Sequence, residues 1–156
     1  MDLLYKITLN LHSWNRYAIL IAGFAVIYFA IRGLNSKTSY NNNSGKSMLF
    51  FLSSLHFQLL IGLLMYFVLS PITTHALSDF GSAMKNGQIR FWAVEHAFVN
   101  IIAIGVAQTG SILVRKKSTD REKHRTALIW TLIALVLILL MIPMGLMGVD
   151  RPWFRF

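Results

Sequence analysis

Four long apolar stretches dominate the pattern of hydrophobic and polar positions along the chain. They run over about residues 11–31, 47–70, 91–114 and 126–148. Each stretch reaches the roughly 20 apolar residues that a helix needs to cross the hydrocarbon core of a bilayer. The pattern predicts an all-α integral membrane protein, with a single domain over residues 1–156 in which four transmembrane helices run up, down, up and down as a bundle.

The polar segments between the stretches predict the connections. Residues 33–46 form a polar linker, residues 71–90 a longer loop, and residues 115–125 a short basic turn. Within that turn, Thr119 and Glu122 have the spacing of a capping box, in which the side chains and backbone amides of the two residues bond reciprocally. The fourth helix is therefore predicted to begin near Thr119, ahead of its apolar part.

Composition supports a membrane protein, and the distribution of charge predicts its orientation. Hydrophobic residues make up 55% of the chain and charged residues 13%, with a net charge of +9. Nine of the fifteen basic residues lie in the first and third loops or at the adjacent helix ends: Arg32, Lys37, Lys46, Arg115, Lys116, Lys117, Arg121, Lys123 and Arg125. Because cytoplasmic loops are enriched in Lys and Arg, both termini are predicted to lie outside. We expect a multi-pass protein of the bacterial inner membrane whose charge requires no nucleic acid partner.

The histidines carry the candidate chemistry. The chain has no cysteine, which excludes disulfides, cysteine-ligated iron–sulfur clusters and covalent haem attachment. One histidine falls on each predicted helix: His12, His56, His96 and His124. Ionisable residues inside membrane spans are costly and usually functional.

Helix direction sorts these histidines into two pairs. His12 and His96 would lie near the outer surface on helices one and three, while His56 and His124 would lie toward the inner surface on helices two and four. Both pairs are diagonal in an up-down bundle. Two neutral imidazoles on opposite sides can ligate the iron of a flat, apolar macrocycle without any cysteine. The sequence therefore predicts non-covalent haem b, held by His12 and His96, with a second haem at His56 and His124 left open.

Polar residues near the histidines complete the predicted site. Arg16, Arg90 and Arg125 are candidate partners for the haem propionates, and Glu95 and Asn100, a small polar neighbour of His96, are further candidates for cofactor binding. Glu95 is expected to pair with one of the first two arginines or to accept a proton.

A resemblance strengthens this prediction. Four stretches, one on each predicted helix, resemble short four-span bacterial membrane proteins labelled cytochrome B: LHSWNRYAIL, LHFQLLIGLLMYFVLSP, RFWAVEHAF and EKHRTALIW.

The chain also resembles one four-helix half of haem A synthase. Residues of that pattern occur here in the same order: His12, Arg16, Gln58, Gly62, Met65 and His96. The likeness implies a haem between the two histidines and adds Gln58 to the cofactor-binding candidates. The chain differs in having a single bundle and in placing Glu95 directly before the second histidine, so the hydroxylating activity is not carried over. A further likeness, to diheme transmembrane b-type cytochromes, implies an inner haem at His56 and His124.

The expected function is electron transfer by a membrane-embedded b-type cytochrome, either across the membrane or to and from a quinone or a redox partner protein. Two alternatives stay open. One is a haem-free accessory or partner-docking subunit, in which the histidines form interhelical polar contacts. The other is a membrane enzyme similar to haem A synthase, with Glu95 near a substrate haem. The sequence leaves open whether the chain acts in an oligomer or a larger complex.

Overall fold

Four long helical spans form the bundle that the apolar pattern predicts. The computed structural model of the chain describes residues 2–143 and Val149, and this part of the chain is helical with short connections and no strand. The elements, with two π-helical segments named π1 and π2, are α1 (Asp2–Ser36), α2 (Asn42–Leu64), π1 (Met65–Leu69), α3 (Pro71–Ser78), α4 (Phe80–Lys85), α5 (Gly87–Arg90), π2 (Phe91–Glu95), α6 (His96–Lys116) and α7 (Asp120–Leu140).

In cross-section, the four spans lie at the corners of a square. Span 1 is α1, span 2 is α2 with π1, span 3 runs from α5 through π2 and α6, and span 4 is α7. Span 1 packs against spans 2 and 4, and span 3 packs against span 4 and, much less extensively, against span 2. Spans 1 and 3 are therefore diagonal, as are spans 2 and 4, which confirms the predicted arrangement. All four are long and apolar enough to cross a bilayer.

The surface and the core of the bundle have the distribution of residues that a lipid environment favours. Large apolar side chains such as Ile21, Phe24 and Leu60 are more than half exposed. The core contains small residues, and a Cβ at Gly110 of α6 would overlap with Trp130 Cβ of α7. Close approach of helix backbones at small residues is typical of packing between membrane helices.

The first helix is longer than predicted. It has 35 residues, where the apolar pattern indicated residues 11–31. At 1.5 Å per residue it is about 52 Å long, which exceeds the roughly 30 Å of hydrocarbon. It ends in a Schellman turn, in which Lys37 has a φ of 51° and Thr38 N donates to Gly33 O at 3.2 Å.

The fourth helix begins where the capping box predicts. Thr119 Oγ1 accepts from Glu122 N, and the Glu122 carboxylate accepts from Thr119 N. The helix ends at Leu140, earlier than the predicted end at 148, because Pro143 disfavours helical conformation in the residues before it. Residues 144–148 of the predicted span lie outside the described residues.

The prediction of a loop over residues 71–90 is wrong, because this segment folds into α3, α4 and α5. At the N-cap of each of these short helices, a polar side chain accepts a hydrogen bond from the backbone. Ser70 caps α3, whose first residue is Pro71, while Asp79 caps α4 and Asn86 caps α5. Proline at the first helical position and polar N-caps favour helix initiation. The three short helices form a helical layer at the end of the bundle where π1 and π2 lie.

Two π-helical segments interrupt spans 2 and 3 beside this layer. Tyr66 in π1 donates from its hydroxyl to the backbone carbonyl of Ala93 in π2 at 2.7 Å, which joins the two segments. π-bulges are rare and occur frequently at functional sites.

Candidate functional site

A large cavity occupies the half of the bundle that lies away from the basic loops. Its volume is about 500 Å³, and all four spans contribute to its wall. Volumes of about 300–1,000 Å³ are typical of cofactor and ligand sites. The wall is mainly apolar, and the residues that matter most for its chemistry are His12, Arg16, Gln58, Tyr66, His96 and Asn100.

His12 and His96 face each other across this cavity, as the outer pair was predicted to do. Their ring centroids are 6.2 Å apart, and the ring planes are inclined by 54°. A metal held linearly between two imidazole nitrogens at about 2.0–2.1 Å, each nitrogen lying roughly 1.1 Å from its ring centre, would place the centroids about 6.3 Å apart. The observed separation is therefore close to what a single metal ion between the rings requires.

The ring of His96 is held in one orientation by its surroundings. His96 Nδ1 lies 3.0 Å from the backbone carbonyl oxygen of Met141 on span 4. Because a carbonyl only accepts, Nδ1 carries the proton, and Nε2 of the neutral ring has the free lone pair. The rings of Trp92 and Phe91 lie 5.2 and 5.8 Å from the His96 ring and limit its rotation.

His12 is held through its backbone. Gln58 Nε2 donates to His12 O at 3.0 Å, and Asn15 Nδ2 donates to Gln58 Oε1 and to Ser54 O, each at 2.8 Å. Span 2 also lies beside the ring, since a Cβ at Gly62 would be in ordinary van der Waals contact with His12 Cε1 at 3.5 Å. These contacts fix the turn of α1 that carries the imidazole.

One nitrogen of the His12 ring lacks a partner. Nδ1 is buried and has no hydrogen-bond partner among the described residues. A buried polar atom without a partner is uncommon in folded proteins and often marks a ligand, water or ion site.

Arg16 lies one helical turn from His12 and lines the same cavity, as predicted. Its guanidinium donates to Tyr17 Oη at 3.1 Å, and its central carbon lies 5.0 Å from the Tyr17 ring centroid. A cation therefore lies in the wall of an otherwise apolar cavity, close to one of the two imidazoles.

Gln58 and Asn100, two of the predicted cofactor-binding residues, form hydrogen bonds with the backbone of the helices that carry the histidines. The Gln58 amide bonds to the backbone of His12, as described above. Asn100 Nδ2 donates to the carbonyl of His96 on its own helix at 2.7 Å. Both residues line the cavity, but the hydrogen bonds that the structure gives them hold the histidine-bearing helices.

Arg90 and Glu95 pair with each other. Arg90 Nε and Glu95 Oε1 are 2.8 Å apart, and the arginine side chain is half-exposed. Neither residue is in the cavity wall as far as the structure describes it. The prediction that they contact the cofactor is therefore not supported, whereas the predicted pairing of Glu95 with an arginine is confirmed.

The structure does not bring the inner pair together. His56 is exposed on span 2, and its Nδ1 lies 2.9 Å from Leu52 O of the same helix. His124 is buried at the start of span 4 and lines a separate small cavity of about 210 Å³, to which His56 does not contribute. Arg125 is exposed and is in the wall of neither cavity within the described residues. The second haem site is thus not supported by the geometry.

The sequence reading missed Asn15, Tyr66 and the carbonyl of Met141. Asn15 could have been found, because an amide side chain inside an apolar span indicates an interhelical hydrogen bond. The hydrogen bond from Tyr66 depends on the two π segments, which the sequence does not reveal. Met141 accepts through its backbone carbonyl, a group that every residue has, so its residue type could not indicate this contact.

No protein-family model, curated protein or solved structure matches this chain, so the interpretation of the site rests on its geometry.

Proposed function

We propose that the chain is a membrane-embedded b-type cytochrome that holds one haem b between His12 and His96 and transfers electrons. The observation that carries this proposal is the 6.2 Å separation of the two imidazole rings across a mainly apolar cavity of about 500 Å³. When bound, haem supplies one-electron redox chemistry at its iron.

The set of donors favours haem over a metal ion bound by the protein alone. Among the described residues, no three His, Cys, Asp or Glu side chains gather in a metal-binding group. A structural zinc site needs four protein ligands and a catalytic one needs three. Two imidazoles suffice for haem, because the porphyrin contributes the other four nitrogens. Because the described residues place no third ligand beside His12 and His96, the set of donors favours a macrocyclic cofactor over a metal ion alone.

The hydrogen bonds around the histidines suit residues that would ligate a haem iron. Donation from His96 Nδ1 to Met141 O fixes the tautomer and increases the electron density on Nε2, as backbone carbonyls do for metal-ligating histidines. His12 depends on Gln58 for the position of its backbone. Arg16 would hold a carboxylate group of the cofactor and balance its negative charge.

The location of the site favours exchange of electrons within the membrane. Phe67 of π1 and Phe98 of α6 both line the cavity, and each is 62% exposed on the apolar surface. The cavity therefore opens toward lipid between spans 2 and 3, where the packing is least extensive. A single haem near one end of the bundle would not carry electrons across the membrane by itself. Both points support a quinone or a partner protein as the redox partner.

Optical difference spectra of four histidine variants test the proposal. The wild-type protein, expressed with haem supplied, should give a reduced-minus-oxidised spectrum with a b-type α-band. His12→Ala and His96→Ala should abolish the band, while His56→Ala and His75→Ala should keep it because both side chains are exposed. Circular dichroism of each variant checks that the helices are retained.

Two results would contradict the proposal. A wild-type spectrum without the band would favour the haem-free subunit. Loss of the band in His56→Ala, with retention in His12→Ala, would place the cofactor elsewhere. The third reading, an enzyme similar to haem A synthase, gains no support, because Glu95 is paired with Arg90 outside the cavity wall.

A further inference from the structure

A second, smaller cavity lies at the opposite end of the bundle, near the basic loops. Its volume is about 210 Å³, and it is bounded by the end of α1, the linker that follows, the first turn of α2 and the start of α7. It is separate from the cavity between His12 and His96, so binding of a ligand there does not depend on haem.

His124 is the unusual residue in its wall. The side chain is only 1% exposed, and neither ring nitrogen has a hydrogen-bond partner among the described residues. The ring lies between the Tyr40 ring, with centroids 5.1 Å apart, and Gly33, where an added Cβ would overlap with Nε2. Burial of an imidazole with both nitrogens unpaired is unfavourable, so its position indicates a missing polar partner.

The other described residues of the wall include donors and no carboxylate. Among them are Arg32, Ser39, Ser44 and Asn43, whose side chains carry a guanidinium, two hydroxyls and an amide. Each of these groups can donate to an anion, and a guanidinium, hydroxyls and an imidazole together suit the several acceptor oxygens of a phosphate. The volume is too small for a second haem but sufficient for a tetrahedral anion.

We propose that this cavity binds a phosphate group, with His124 and Arg32 as its principal contacts. The group can belong to an anionic phospholipid headgroup or to free phosphate, which present the same oxygens. The predicted orientation places this end at the cytoplasmic leaflet, where anionic lipids attract basic residues. Basic pockets between membrane helices on that side are known to bind lipid headgroups.

Nuclear magnetic resonance of the histidine side chains tests this proposal. The wild-type protein carrying ¹⁵N-labelled histidine is studied in detergent with increasing inorganic phosphate. A second sample in phosphatidylcholine nanodiscs is compared with one that also contains phosphatidylglycerol. The His124 signals are assigned by their absence in His124→Gln. We expect them to shift with phosphate, with phosphatidylglycerol or with both, and the two samples distinguish free phosphate from a headgroup.

Two arginine variants establish whether the binding is local. Arg32→Gln removes the guanidinium of a residue in the wall, and Arg115→Gln makes the same change at the same end of the bundle but outside the described wall. Both positions are exposed. Arg32→Gln should weaken the apparent affinity about 10- to 100-fold, as expected for loss of a charge-assisted hydrogen bond, while Arg115→Gln should leave it unchanged. Insensitivity of the His124 signals to both additions, or equal weakening by both variants, would overturn the proposal.

Discussion

The side-chain amide of Gln58 donates a hydrogen bond to the backbone carbonyl of His12 across the contact between spans 1 and 2. Asn15, three residues after the histidine, donates to the same glutamine. The position of the His12 imidazole therefore depends on a neighbouring helix through two hydrogen bonds. Four variants test the contacts that shape the cavity and the bundle.

Replacement of Gln58 should loosen His12. Gln58→Leu removes both bonds, and interhelical hydrogen bonds in membranes contribute about 0.6 kcal/mol on average, so we expect a loss of stability of about 1 kcal/mol. Haem occupancy should fall, because the ligand is less well positioned. Thermal unfolding and the haem-to-protein ratio measure the two effects. Gln108→Leu makes the same change on α6 outside the cavity wall, and an equal loss of haem in that control would contradict the role of Gln58.

The bond between the two π segments should contribute to stability. Tyr66→Phe leaves the ring in place but removes donation to Ala93 O, which should cost about 0.5–1.5 kcal/mol. Tyr28→Phe, at a side chain that is 57% exposed, should be close to neutral. The two midpoints of thermal unfolding in detergent provide the comparison. A variant at Tyr66 as stable as the one at Tyr28 would show that the bond is dispensable.

The charge of Arg16 should raise the reduction potential of the proposed haem, because a nearby cation disfavours the more positive oxidised state. A unit charge in a partly buried site contributes about 1–2 kcal/mol at an effective dielectric near 20, so Arg16→Gln should lower the midpoint potential on the order of tens of millivolts. Arg90→Gln should change it less, since Arg90 is half-exposed and paired with Glu95. A redox titration that gave the larger change for Arg90→Gln would contradict the assignment.

Close packing of spans 3 and 4 should make Gly110 sensitive to substitution. A Cβ at this position would overlap with Trp130 Cβ, so the two helices must move apart. Gly110→Ala should lower stability by about 1–3 kcal/mol, the usual cost of overpacking. Gly105→Ala is a matched control on the same helix, because nothing lies within 4 Å of its added Cβ. It should be neutral or slightly stabilising, since alanine favours helix.

Much of the fold could be predicted because it follows from span length and chain direction. Four apolar stretches with short connections lead to an up-down bundle with diagonal pairs, and the capping box located the start of α7. The outer pair followed from the same reasoning, since His12 and His96 enter the bundle at one end on diagonal spans.

The rotation of each helix could not be predicted. Span 2 is apolar on all sides, so its sequence does not show which face turns inward, and His56 lies on the exposed face. The pairing of Glu95 with an arginine was predicted, but the choice between Arg16 and Arg90 was left open. The π2 segment, which the sequence does not reveal, brings Arg90 and Glu95 onto one face although they are five residues apart.

We propose that a single haem b lies between His12 and His96. The haem-to-protein ratio of the purified wild-type protein, determined from the pyridine haemochrome spectrum, measures this stoichiometry. We expect one haem b per chain. A ratio of two, which would require a second site such as the one left open at His56 and His124, or a ratio of zero after expression with haem supplied, would contradict the proposal.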